Sequence, residues 1–188
     1  MPLRSLQTVW RSATGWLLLL TTVLSLSACS TAPPAGVTVV TPFDLSRYEG
    51  KWYEIARLDH SFERGLTDVS ASYRQQADGS VQVINRGYDS QRGEWKQATG
   101  RALFTGEAQR ASLKVSFFGP FYGGYHVVAL DPLYRWSMVI GPDRDHLWIL
   151  GRDKQLSPEV HTQLLNQARE LGIAVERLIW VAQGRDEG

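Results

Sequence analysis

The chain has 188 residues, the length of one domain, with 20 Lys and Arg against 19 Asp and Glu. A net charge of +1 offers no broad cationic field to a nucleic-acid backbone, and a hydrophobic content of 43% excludes wholesale disorder. The one cysteine excludes an intrachain disulfide and any Cys-based zinc cluster.

Residues 1–28 read as an export signal. Arg4 and Arg11 give it a positive start, and Trp16 to Leu26 form an apolar stretch too short to span a bilayer. Leu26-Ser27-Ala28-Cys29 resembles the lipobox of bacterial lipoprotein precursors. That resemblance implies cleavage before Cys29, a diacylglycerol thioether on its sulfur and acylation of the new amino group. The alternative is an ordinary signal peptide whose cleavage site precedes a cysteine. Several acyl chains, at about 0.8 kcal/mol per buried methylene, anchor a protein without a spanning helix. Ser30, where Asp retains many such lipoproteins in the inner membrane, implies the outer membrane, with the protein facing the periplasm. Residues 29–43 comprise this cysteine and a segment of linker composition, whose fourteen residues from Ser30 reach at most about 46 Å.

From Asp44 the pattern is strand after strand. Eight short strands are predicted at Lys51–Asp59, Thr67–Gln76, Ser80–Asp89, Glu94–Thr105, Ala111–Phe118, Tyr122–Leu130, Arg135–Ile140 and His146–Arg152. Hairpin-length turns such as Asp78-Gly79 join them. A helix follows, with Ser157 as N-cap, Pro158 at its first position, an apolar stripe of Val160, Leu164, Leu165, Ala168 and Leu171, and Gly172 as its stop. A ninth strand is predicted at Val175–Ala182, and residues 184–188 read as a loose tail. A sandwich and a closed up-and-down barrel both satisfy this pattern. The inward positions are apolar or aromatic with several small members (Ala56, Ala71, Ala98, Ala102). An eight-stranded barrel of that kind is either filled or holds one small ligand.

Tyr48-Glu49-Gly50-Lys51-Trp52-Tyr53 resembles the first signature of the lipocalins, a Gly-x-Trp at the start of the first strand. Leu130-Asp131 with Tyr134 matches the second signature, and Arg152 after Leu147–Gly151 fits the third. Ser116–Tyr125 and Gly141–Asp145 resemble the Blc-type group of bacterial outer-membrane lipoprotein lipocalins, as the lipobox does. The resemblance runs from Phe43 to Gln183. It implies an all-β fold: an eight-stranded antiparallel up-and-down barrel over residues 44–183, with one C-terminal helix and a short ninth strand. It also implies that Gly50, Trp52, Asp131 and Arg152 are structural, with Arg152 lying across Trp52 at the closed end. The family binds small hydrophobic molecules, and the implied partners are a fatty acid or lysophospholipid, the outer membrane through Cys29, and a second copy in a homodimer.

Candidate ligand-binding wall residues are Tyr73, Phe104, Val115, Phe117, Tyr125, Val127 and Met138. Arg57, His60, Arg64 and Arg86 are rim candidates for an anionic head group, with plain solvation as the alternative. If Trp52 points inward, period two turns Glu54, Ala56 and Leu58 inward as well. An inward Glu54 pairs with a buried cation, bonds a ligand head or sits near solvent. His60, His126, His146 and His161 lack metal-ligand spacing, and Ser116 and Ser137 lie mid-strand without a nucleophile elbow. The chain therefore reads as no enzyme, without cofactor or metal. An interaction lipoprotein with a filled barrel remains the alternative to a lipid carrier, with Phe118, Phe121 and Tyr122 as its exposed contacts.

Overall fold

The computed structural model describes residues 31–185, so the export signal and Cys29 lie outside the described residues. One turn of helix, α1 (Leu45–Tyr48), precedes β1 (Gly50–Arg57), β2 (Leu66–Gln75), β3 (Val81–Asp89) and β4 (Glu94–Phe104). Strands β5 (Ser112–Ser116), β6 (Gly123–Leu130), β7 (Trp136–Ile140) and β8 (Leu147–Gly151) follow, then α2 (Pro158–Glu170) and β9 (Ile179–Trp180). Each strand pairs antiparallel with the next, and β1 pairs with both β2 and β8, which closes the eight strands into a barrel. Of the expected ninth strand, Val175–Arg177 form a 3-10 turn and two residues pair with β1. The short α1, which the sequence reading did not anticipate, is capped by Asp44, whose carboxylate accepts from the Ser46 N–H at 2.9 Å.

Two apolar clusters share the barrel wall. The inner one fills the lower barrel with Trp52, Tyr73, Val81, Val83, Leu113 and Val127; the outer one packs Met138, Ile140, Leu147 and Ile149 against Leu164 and Ala168 of α2. Strand β7 is buried along its whole length because it faces a core on each side.

Strand β1 bends where its register with β8 shifts between Glu54 and Ala56. Trp52 and Glu54 face inward as expected, but the extra residue turns Ala56 and Leu58 to the outer cluster. Arg57 is brought to the inner side in their place. It is fully buried, donating from Nη1 to Glu54 at 2.7 Å and from Nη2 to the carbonyls of Glu63 (3.0 Å) and Leu66 (3.2 Å). Of the three readings of Glu54, the buried cation is the one found, and Arg57 is a wall pin, not a rim residue. Burial pushes the Glu54 carboxyl well above the ordinary carboxylate range; the Glu63 carboxyl adds to the rise, and Arg57 only partly offsets it. Burial opposes the Glu63 charge too, but the His60 ring beside it and the bond from Trp148 hold that group below its ordinary value.

The closed end is built on Trp52. Its indole N–H donates to the Tyr48 carbonyl at 2.8 Å, and the Arg152 guanidinium lies 4.0 Å above the ring. The same guanidinium donates to the carbonyls of Lys51 (2.8 Å), Arg47 (2.9 Å) and Glu49 (2.8 Å). Gly50 sits at φ +87°, and a Cβ there would stand 3.4 Å from that guanidinium. Asp131 accepts from the Leu133 and Arg135 N–H groups and from the Arg135 side chain, which fixes the β6–β7 turn. Gly50, Trp52 and Arg152 thus meet at the closed end, and Asp131 sits in the β6–β7 turn.

The ends of the domain are held more closely than expected. In the segment read as linker, Val39 and Phe43 are buried, and Val40 bonds both Val127 and Ala111. At the other end Arg185, read as loose tail, stacks 3.8 Å from the Tyr88 ring and bonds Asp68 through its N–H.

Arg152→Lys keeps the charge but loses the fork, so we expect it to lower stability to urea by about 2 kcal/mol. A second expectation concerns pH. A carboxyl whose folded-state pKa lies above the unfolded value of 4.5 makes stability fall as pH climbs from that value through the raised one. Glu54→Gln therefore flattens the stability profile in the window that opens near pH 4.5 and closes at the raised folded-state value. A variant as steep as the parent across that window would show that Glu54 is not the group responsible.

A half-filled calyx as the candidate functional site

Inside the barrel, three tyrosines make a floor. Tyr48, on α1, bonds Tyr125 of β6 at 2.9 Å and Ser137 of β7 at 3.0 Å, and Tyr125 donates to Tyr73 of β2 at 2.8 Å. The chain of hydroxyls satisfies polar atoms that burial would otherwise leave unpaired. Burial pushes the Tyr48 phenol up to about 12, against the opposing pull of its hydrogen bonds, so the floor stays neutral. Below it the barrel is packed, with about 10 Å³ of space among Phe43, Val81, Leu113 and their neighbours.

Above the floor the barrel is open. A deep chamber of about 70 Å³ lies against Tyr73, Val83, Val115, Tyr125, Trp148 and Leu150. It shares Phe62, Glu63, Val69, Asn85 and Phe117 with a wider cavity of about 580 Å³ that opens between Leu66, Arg86, Lys96, Ala98, Phe118 and Phe121. The walls are mostly apolar, and the size is that of a single small-ligand site. Gly100 lets the Phe117 ring lie flat on the wall: a Cβ on this residue would stand 2.8 Å from that ring. The sequence reading missed this role, for which the only signal was a glycine inside a strand.

The deep chamber carries two carboxyls, Glu54 and Glu63, in a lining that is mostly apolar apart from Ser70, Asn85 and the tyrosine hydroxyls. Glu63 lies on the loop joining β1 to β2. It accepts from the Trp148 indole at 3.2 Å and sits 3.2 Å from the buried His60 ring nitrogen. The fold also brings together two histidines that looked scattered in sequence: the His60 and His146 rings are 6.1 Å apart, both beside Trp148. Among the described residues, no group of three or more His, Cys, Asp and Glu is placed to hold a metal ion.

The seven expected wall residues divide by depth and side. Tyr73, Val115, Phe117 and Tyr125 line the cavity. Phe104 packs edge-on against Phe43 at the closed end, and Val127 is buried in the inner cluster. Met138 is on the other side of the wall, under α2. Strand β7 alternates regularly opposite the bulged β6, with Ser137 and Val139 facing inward and Met138, opposite Ala129, facing out. Of the expected rim cations, Arg86 borders the mouth and stacks 4.2 Å from Trp95, while Arg64 is exposed and paired with Asp59 at 2.9 Å. Among the cavity residues that the sequence reading did not anticipate are Val69, Val83, Asn85, Trp148 and Glu63, whereas Glu54 faces inward as it expected.

The family profile described as a lipocalin-like domain matches residues 43–183. The outer membrane lipoprotein Blc of Escherichia coli K12 is 57% identical over 157 residues, covering 83% of this chain and 89% of that protein. Its namesake in Vibrio cholerae is 47% identical over 151 residues, covering 80% and 88%. Insecticyanin from the tobacco hornworm Manduca sexta shares the fold, with a TM-score of 0.64 at 22% identity over 80% of this chain and 85% of its own. Family profile, relatives, closed barrel and signature residues agree: the chain belongs to the lipocalin family, in its bacterial, Blc-type branch.

Proposed function

We propose that this lipocalin binds one single-chain lipid, a fatty acid or a lysophospholipid, in the half-filled calyx. It holds or transports that lipid at the outer membrane, to which acyl groups on Cys29 tether it. The observation that carries this reading is the open-mouthed, apolar cavity of about 580 Å³ above the tyrosine floor. At roughly 30 Å³ for each methylene-sized group, the liquid volume of a water molecule, a sixteen-carbon chain needs about 480 Å³. One such chain fits and two do not. Burying it is worth roughly 13 kcal/mol gross at about 0.8 kcal/mol per methylene, and the cost of association leaves an affinity near micromolar.

Electrostatics favour one orientation. Glu54 and Glu63 face the deep chamber, so an anionic head placed there meets carboxyls. Arg86 and Lys96 border the mouth, where a phosphate or carboxylate stays hydrated. The tail therefore points at the floor and the head stays at the rim. The outer-membrane address is supported by the lipobox and by relatives that are themselves named outer membrane lipoproteins.

The test uses a soluble Cys29→Ala form made without residues 1–28 and stripped of co-purifying lipid. Lysophosphatidylethanolamine and palmitate are titrated while tryptophan fluorescence is followed, with Trp148 as the reporter in the cavity wall. We expect saturation at one ligand per chain in the micromolar range. We also expect at least about tenfold weaker binding in Phe117→Asp, with an unchanged circular dichroism spectrum. No saturable change up to tens of micromolar would contradict the proposal, as would unaltered binding in the folded variant.

A further inference from the structure

The mouth of the calyx is not built like a rim that faces water. Phe62 on the β1–β2 loop and Phe118 and Phe121 on the β5–β6 loop are 58%, 78% and 73% exposed. All three border the one opening. The other exposed large apolar side chains among the described residues stand apart: Leu133 at the closed end, and the less exposed Ile179 and Trp180 on β9. Clustered exposure of this kind marks a contact surface, whereas single exposed hydrophobes are ordinary.

The path of the N-terminal segment decides which surface is within reach. Phe43 is tied to the closed end, its N–H bonding Gln109 at 2.8 Å, and from there toward the N-terminus the segment runs up the barrel past Val40. At Ala35 it reaches the rim end, where its carbonyl accepts from Arg144 of the β7–β8 loop at 2.8 Å. It then turns, with the Val37 N–H on the Pro34 carbonyl at 3.0 Å, and Ala32 comes to rest on His126. His126 is three residues from Gly123, where β6 starts at the rim, or about 10 Å along the strand. Cys29 is three residue steps from Ala32 in the sequence, a reach of at most about 10 Å when extended. A free linker over residues 30–43 would let the barrel stand well clear of its membrane. The docked segment does not. It holds Ala32 against His126 of β6, within a short chain length of the β5–β6 hairpin whose tip carries Phe118 and Phe121.

We propose that the rim of the calyx docks on a phospholipid bilayer, with Phe62, Phe118 and Phe121 in the interfacial layer and the mouth open to the lipid. The proposal rests on the reading of the chain as a Cys29-anchored lipid binder and adds the surface through which ligand enters. Aromatic side chains suit the headgroup boundary, and Arg86, Lys96 and Lys114 stand at the same end, facing anionic headgroups. An acyl chain then passes between bilayer and calyx without crossing water.

The test is made on the lipidated protein in vesicles of phosphatidylethanolamine and phosphatidylglycerol, with no ligand added. Two variants, Phe121→Cys at the rim and Ala108→Cys in the exposed β4–β5 loop at the closed end, each carry an environment-sensitive dye; the Cys29 sulfur is occupied by its lipid. We expect nitroxide-bearing lipids to quench the rim dye at least about threefold more than the closed-end dye, with a blue shift at the rim only when vesicles are present. Equal quenching at both sites, or stronger quenching at the closed end, overturns the proposal. A rim dye that is shielded without vesicles, in proportion to protein concentration, also overturns it and assigns the rim to a second copy of the chain. Because this readout contains no ligand, and the fluorescence titration contains no vesicle, either reading can fail while the other stands.

Discussion

Strand β1 borders two cores that need opposite faces of it. Its first half must turn Trp52 into the closed end, while its second half must give Ala56 and Leu58 to the helix side. The bulge between Glu54 and Ala56 reconciles the two, and it carries a consequence: Arg57 is swung into the wall. A buried guanidinium needs partners, and here Nη1 and Nη2 find the Glu54 carboxyl and the carbonyls of Glu63 and Leu66. Arg57 thereby pins the loop that forms one side of the mouth. The contribution of β1 to the helix face and the placing of Arg57 in the wall both follow from one extra residue in one strand.

The interior is partitioned in a similar way. Large side chains from α1 and the lower strands fill the barrel up to Tyr48, Tyr73 and Tyr125, whose hydroxyls satisfy one another and Ser137. Above that layer the inward positions are too small, or lean too far toward the wall, to meet across the axis. Ala71 and Ala98 are examples, and Phe117 is another, lying flat over Gly100. The lower half therefore resembles the filled barrel and the upper half the ligand cavity that the sequence left as alternatives. The two carboxyls in the upper wall add a direction to a site whose shape alone does not distinguish head from tail.

Most of the strand pattern was legible because hairpin turns punctuate it and because one face of most strands is polar. Trp52, Arg152, Gly50 and Asp131 were legible through the resemblance of the motifs around them to the lipocalin signatures. Legibility failed where two faces are apolar or where a bond is long-range. Strand β7 is buried on both sides, so nothing in Trp136–Ile140 marks which residues face inward, and Met138 was assigned to the wrong core. The bulge in β1 leaves no mark in composition, so Ala56 and Leu58 were turned the wrong way. Residues Val37 to Phe43 have the composition of a linker, yet Val40 bonds strand residues about seventy and ninety positions away. Nothing local encodes such a contact. Nor could spacing in sequence show that His60 and His146 meet beside Trp148.

The central claim is that an acyl chain stands in this calyx tail-down on the tyrosine floor. The most direct measurement is a crystal structure of the soluble form with a palmitoyl lysophospholipid brominated at its terminal carbon, read from the anomalous signal of the bromine. The account places that bromine in the deep chamber, in contact with Tyr73, Val115 or Tyr125. A bromine at the rim, near Arg86 and Lys96, or bound lipid lying wholly outside the barrel, would contradict it.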